Sequence, residues 1–429
     1  MYLFVIVAPC AVLDSGSLAE DAQEARTFRT RLVRYYAPVV IKEEEIMVST
    51  NTKSSEIQDG GHVVVASNGG SSRVELVDKH FLDYHANTMA LGKPFRYDNT
   101  CLVTGGDDGT LRVYKINKAS KINKVPRYQE ISKLETKGGP LRCLEMHNTT
   151  KFSSADLIVG DAKGTLTILC NEQILNRRTL SEGCITALAV DEDFVGNLAI
   201  VVGDNRGVVT AVSPYGNLWR LQLQDACKHT HRELGVTPSV RCILPVRLQM
   251  IGGILTNYLL ISDSCQNLFV LQNGMVVNRT QVTSVVTAMT GGSFMELLPQ
   301  LLSPSQAFGS PRRQSTSVAR QPQVAIGTED GSIMVFADFQ LHPYASVQLP
   351  VTRLVSVPNE ERQDAGDYLL CAGHFSALVV LLRQELVLRL ETDDWVHTIA
   401  CTEGCSRDGR LDVALGLLNN TIQTYEITL

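Results

Sequence analysis

Two short stretches of this 429-residue chain carry side chains that could hold a metal ion. In VDEDFVGNLAI, residues 190 to 200, Asp191 and Asp193 occupy the first two positions of an Asp-x-Asp-x-Asp-Gly loop, in which several carboxylates converge on a calcium ion. Val195 stands where the third carboxylate belongs, so the stretch reads as a polar loop between strands, with Asp191 and Asp193 its only candidate ligands. In CKHTH, Cys227, His229 and His231 share one side of an extended segment, but no fourth zinc ligand can be placed. That stretch is expected to be a solvated loop. Asp393 and Asp394 beside Trp395 are adjacent carboxylates, which point apart on a strand and here read as a turn ahead of one. A nucleophile elbow, a phosphate-cradling loop leading into a helix and an H-E-x-x-H helix are all missing. The expectation is a non-enzymatic protein without a cofactor.

Whatever positions these residues must be built from strands. With 44% hydrophobic residues the chain can bury a large core. Its net charge of −6 offers no cationic surplus to a phosphate backbone, so no nucleic-acid partner is expected. The 11 cysteines contain no C-x-x-C pair and read as reduced thiols. No apolar run is long enough for a membrane span.

A glycine frame recurs along the chain. CLVTGGDDGTLRVYK, DLIVGDAKGTLTILC, LAIVVGDNRGVVTAVS and QVAIGTEDGSIMVFA keep Gly-x-x-x-Gly at Gly105/Gly109, Gly160/Gly164, Gly203/Gly207 and Gly327/Gly331. Three degenerate copies fit at Asp263/Asn267, Gly373/Ala377 and Gly416/Asn420. Four or five apolar residues precede each turn, as in a strand buried on both faces. Alternating apolar residues follow it, as in Leu111/Val113, Leu166/Ile168 and Ile333/Val335, which suits a strand covered on one face. Such hairpins cannot stand alone in water, and seven copies spaced by roughly the length of a propeller blade predict an all-β, seven-bladed propeller. Gly109, Gly164, Gly207 and Gly331 are the structural turn residues, since a tight bend wants a positive φ. The carboxylates at these turns vary between copies and read as replaceable. A catalytic set in the channel would have to draw on Asp107, Asp161, Asp204, Glu329 and His374 near the turns.

The first copy, extended upstream, reads SSRVELVDKHFLDYHANTMALGKPFRYDNTCLVTGGDDGTLRVYK over residues 71 to 115, and the last two read GDYLLCAGHFSALVVLLRQELVLRLETDDWVHTIACTEGCSRDGRLDVALGLLNNTIQTYEI over 366 to 427. Together they resemble the opening and close of the integrin-alpha FG-GAP repeat-containing protein 2 family, with coverage from about residue 71 to the C-terminus. The resemblance implies that Arg73 to Val77 form the outer strand that completes the last blade. It further implies a subunit of KICSTOR, a scaffold on the cytoplasmic surface of lysosomes that recruits GATOR and lets nutrient scarcity restrain TOR kinase. Kaptin-like and large scaffold subunits would be its protein partners.

Two segments fall outside the repeat. Residues 1 to 70 form a mixed, partly disordered extension with a linker at 48 to 61, and about 295 to 322 form a disordered loop rich in Pro, Ser, Gln and Arg. In that loop Arg312 and Arg313 precede Ser315, a candidate phosphorylation site where phosphate would reverse the local charge. The start, MYLFVIVAPCAVL, has the length of a signal-peptide apolar region with no positive residue ahead of it. A secreted, calcium-dependent FG-GAP module with sugar on Asn148, Asn278 or Asn419 therefore stands as the alternative, and a propeller hydrolase as a third.

Overall fold

Valine, isoleucine and leucine runs broken by glycine turns form strands because branched side chains pack well on a pleated surface while the turns reverse the chain. In the computed structural model the described residues are 39–40, 64–66, 73–117, 127–152, 154–227, 237–249, 254–296, 322–359, 366–401 and 410–429. Their strands make seven sheets, each built on a four-stranded antiparallel blade. Blades 1 to 6 span residues 86–135, 141–179, 185–222, 240–281, 286–346 and 351–391. Blade 7 combines Val396–Cys401, Arg410–Leu417 and Thr421–Thr428 with Arg73–Phe81 from the other end of the propeller.

The core lies between blades. Seven buried clusters each join one blade to the next, and one of them brings Leu102, Tyr114 and Tyr128 of blade 1 against Ala400, Ala414 and Ile422 of blade 7. That last cluster closes the ring, and a sheet apolar on both faces is thereby stabilised on both. Arg73–Phe81 pairs antiparallel with the final strand, Val74 opposite Ile427 and Leu76 opposite Tyr425, so the first and last parts of the propeller are fastened by backbone hydrogen bonds. The strand expected from the resemblance, Arg73 to Val77, continues to Phe81.

Two short strands from the extension add to outer edges. Val39–Val40 lies parallel to Gln340–Ser346 on blade 5, and Val64–Ala66 antiparallel to Glu385–Glu391 on blade 6. Most of the expected disordered loop, and with it Arg312, Arg313 and Ser315, lies outside the described residues.

Two expectations need correction. The strands after the glycine turns are covered on both faces: Thr165, Thr167 and Thr210, which alternate with the apolar residues, are buried as well. Neighbouring blades flank each sheet on both sides, and threonine is small and polar enough to be accommodated there. Two degenerate frames are also shifted by one residue. Asp263, not Ser264, pairs with Val240 as Asp204 pairs with Ile185, which puts the frame at Ser262/Gln266. In blade 6 Thr392 bonds to the Ser376 carbonyl as Val347 does to Gly331, which puts that frame at Ala372/Ser376. Without glycines to mark the corner, the pattern alone left the register free by one step.

Candidate functional site

The glycine turns all project at one face of the ring. Gly109, Gly164, Gly207 and Gly331 have φ of 72°, 78°, 75° and 84°, and Gln266 and Asn420 adopt the same conformation at 62° each. A side chain at Gly164 would place its Cβ 2.1 Å from the Ser181 carbonyl oxygen, so glycine is required there by close approach as well as by φ.

The carboxylates at these turns are replaceable in two blades, where Asn419 accepts from the Thr421 amide at 3.1 Å in blade 7 and Gly373 and Phe375 take the two positions in blade 6, but in the other five an aspartate holds the bend. Asp161 Oδ1 accepts from the amides of Lys163 and Thr165 at 2.9 and 2.8 Å, Asp204 Oδ1 from Arg206 and Val208 at 2.9 and 2.8 Å, and Asp263 Oδ1 from Cys265 and Asn267 at 2.9 Å each. Blades 1 and 5 lack that aspartate and use one two residues further on: Asp108 accepts from the Thr110 amide at 3.1 Å and Asp330 from Ser332 at 3.0 Å. The carboxylate locks the bend from either of two positions, so an aligned column of residues looked variable while the function was kept. The second oxygen of Asp161 and Asp204 reaches the preceding inter-blade loop, at the Gly139 amide (2.9 Å) and the Ser181 hydroxyl.

The residues that could have formed a channel catalytic set are each engaged with other groups, within a blade or across to its neighbour. Asp161 and Asp204 are these buried locks, Asp107 accepts from Asn87 at 2.7 Å, Glu329 faces Arg241 at 3.7 Å, and His374 stacks on Trp395 with centroids 5.1 Å apart. Asp394 accepts from the Trp395 amide and Asp393 from Lys79, consistent with a turn.

Asp193 is likewise a loop lock. Its Oδ1 accepts from the amides of Val195 and Asn197 at 2.9 and 2.8 Å, and its Oδ2 from the Asn197 side chain at 2.7 Å. Burial, then the neighbouring Asp193, pushes the Asp191 carboxyl above its ordinary range. Cys227 corrects the expected solvated loop: it is 2% exposed and packs with Leu223 between blades 3 and 4, because a helical turn at Leu223–Ala226 swings it inward. His229 and His231 lie outside the described residues.

The inner strands line a central channel in a repeating way. Each opens with a one-residue bulge, occupied in order by Asn87, Arg142, Thr186, Arg241, Thr287, Thr352 and His397. In alternate blades this residue clasps the next one: Asn87 donates to the Leu141 carbonyl at 2.8 Å, Thr186 to Val240 at 2.7 Å, and Thr287 to Val351. One step further in, Thr88, Cys143, Ala187, Cys242, Ala288, Arg353 and Thr398 pair with equivalent residues of their second strands and so share one level of the channel. Sequence reading passed over this level. Its one signal was a charged residue inside the otherwise uncharged inner strand VTRLVSV.

The opposite, far face is apolar over blades 2 to 4. Most of the large apolar side chains exposed among the described residues gather there: Phe152, Phe194, Val195, Ile254 and Leu255 on loops between first and second strands, and Ile174, Leu175, Tyr215, Leu218, Met275 and Val277 around the turns into the outer strands. The blades beneath this surface are tied together. Asn176 and Arg178 donate to the Pro214 carbonyl at 2.6 and 3.0 Å, and Gly274 lies so close under Trp219 that a Cβ would meet the indole at 2.8 Å. The Arg247 guanidinium covers the Phe194 ring at 4.7 Å. At the same end, the Asn148 sequon is folded in: Thr150, 6% exposed, bonds through its hydroxyl to Asp156 at 3.1 Å.

These features define a closed, seven-bladed β-propeller whose polar turns are structural. No family model matches the chain, and curated proteins give no match. Among solved structures it is similar to one described as BBS1N in complex with ARL6DN, with TM-score 0.55 and 14% identity over 82% of this chain and 95% of that one. It is also similar to the WD40 beta propeller domain of Doa1, with TM-score 0.55 and 12% identity over 82% and 96%. Both likenesses are of fold. Among the described residues no helix is long and apolar enough to cross a membrane.

Proposed function

We propose that this chain is a non-enzymatic interaction propeller that serves as a scaffold subunit, docking a protein partner on the far face of blades 2 to 4. The observation that carries the proposal is the gathering of Phe194, Tyr215, Leu218, Met275 and their neighbours on that face. Large apolar surface kept in water by a rigid backbone marks an interaction site, since isolated exposed residues are ordinary and a contiguous group is not. The similar structure described as BBS1N in complex with ARL6DN supports the fold's suitability for the task. The particular assembly comes from the family resemblance: a KICSTOR-like complex on the lysosomal surface, with kaptin-like and large scaffold subunits as partners and GATOR recruitment as the outcome. The secreted alternative draws no support from Asn148, whose sequon is engaged within the fold.

The test is affinity purification with mass spectrometry from cells held at high and low amino acids, using the wild-type chain and the variant Phe194→Asp/Met275→Asp. Kaptin-like and GATOR components should be recovered with the wild type and depleted at least tenfold with the variant. Recovery of neither group by the wild type overturns the assignment to this complex. Equal recovery by both chains overturns the far face as the docking surface.

A further inference from the structure

Arg353 lies on the innermost strand of blade 6, at the channel level it shares with Cys143 of blade 2 and Cys242 of blade 4. Its charge acts on both thiols and on His397 of blade 7. Blades 2 and 4 do not touch blade 6, and the space that all of them border is the channel, so the guanidinium must project into it. The side chain is exposed to water, yet protein surrounds it closely enough that burial pulls its pKa below the ordinary guanidinium value. This combination belongs to a group in a narrow, wet passage.

No carboxylate answers this charge among the described residues. The one hydrogen bond that Arg353 makes is from Nη1 to the Thr352 carbonyl at 2.8 Å, which leaves most of its five donors free. The other members of its level are threonine, alanine and cysteine. Burial holds the Cys143 and Cys242 thiols at about 12 and 11, so they are neutral near pH 7 and supply no counter-charge. Arg241, at the channel mouth, has Glu329 at 3.7 Å, which makes the contrast with Arg353 specific.

From this we infer that the channel holds an oxyanion-binding site centred on Arg353, suited to a phosphate or carboxylate group that enters from solvent and is gripped by the guanidinium fork. A planar fork with two parallel N–H groups matches such an anion bidentately, and a confined channel strengthens the pair relative to open water. His397 stands beside it. Burial, then Arg353, then His85 hold its imidazole at about 4, so it is neutral at pH 7 and can give the anion a further N–H. The His85 and His397 rings lie 5.4 Å apart, and His85 is anchored to Asn420 at 2.8 Å.

The experiment titrates the full chain with inorganic phosphate and, separately, acetate at constant ionic strength, following the His397 ring protons by NMR and binding by calorimetry. Saturable binding of either ion, with His397 shifting toward higher pKa as the Arg353 charge is neutralised, is the expected result. A response to phosphate alone identifies a phosphoryl ligand, and one to acetate alone identifies a carboxylate, either of which supports the site. Arg353→Gln should weaken binding at least tenfold, and Arg353→Lys should retain the charge but lose the fork and fall between. Because Arg353→Gln removes a charge that has no partner, its unfolding midpoint should equal or exceed the wild type's. Absence of saturable binding of both ions, or equal binding by Arg353→Gln, overturns the inference.

Discussion

Asp204 separates a structural carboxylate from a ligand. It is 2% exposed, and its oxygens take the amides of Arg206 and Val208 and the Ser181 hydroxyl. In Asp204→Ala the buried Val208 amide and the part-buried Arg206 amide and Ser181 hydroxyl lose their acceptor. An unsatisfied buried donor costs about 1–3 kcal/mol, so three would cost about 3–9 kcal/mol if fully buried, reduced because two of them are only part-buried and because a buried charge is also removed. We expect a net loss of about 3 kcal/mol. Asp204→Asn keeps an oxygen for both amides and can place its NH2 against the serine oxygen, so it should cost only the charge assistance, about 1 kcal/mol. The assay is urea unfolding of the full chain followed by tryptophan fluorescence, for which Trp219, opposite Ala211 in the same blade, is a local reporter. Exposed Asp107, bonded to one asparagine, is the control, and Asp107→Ala should change stability by less than about 0.5 kcal/mol. Equal losses for the alanine and asparagine variants, or an alanine variant within about 1 kcal/mol of wild type, would refute the account of the turn.

Three further outcomes can be checked on the same material. Gly164→Ala should destabilise by at least about 2 kcal/mol, because φ is +78° and the Ser181 carbonyl blocks the Cβ, whereas Gln266→Gly, at φ 62°, should stabilise by about 1 kcal/mol in a urea titration. Burial lifts the Glu145 carboxyl to about 7 from 4.5, so the folded chain holds a proton that the unfolded chain releases between those values, and stability falls as pH rises through that window. Glu145→Gln should therefore match the wild type near pH 4 and exceed it by about 2 kcal/mol at pH 8, the group's partial exposure reducing the full linkage value; equal pH profiles would refute this. Deleting residues 73–81 exposes the edge of Thr421–Thr428 and uncovers the apolar side chains of blade 7, so the shortened chain should be aggregated by size-exclusion chromatography, and a soluble monomer with native circular dichroism would contradict ring closure.

Periodicity and glycine placement were enough for the seven-bladed fold, because a strand buried on both faces and a corner of positive φ each leave a local chemical mark, as at Gly109, Gly164, Gly207 and Gly331. Where the mark was absent, at Ser262/Gln266 and Ala372/Ser376, the register slipped by one residue. The role of Asp161, Asp204 and Asp263 was hidden because its alternatives, Asp108 and Asp330, sit elsewhere in the turn and reach the second of the two amides only after the bend forms.

By itself, then, the order of residues determined the strands, their turns and their number, all of which are set by interactions within a few tens of residues. Only the tertiary structure decided that the Arg353 charge is felt by Cys143, Cys242 and His397 of other blades, and that Phe194, Tyr215 and Met275 share one exposed face. Those neighbours come from different blades, and a closed ring brings side chains together by the direction in which each blade points, which no stretch of chain records locally.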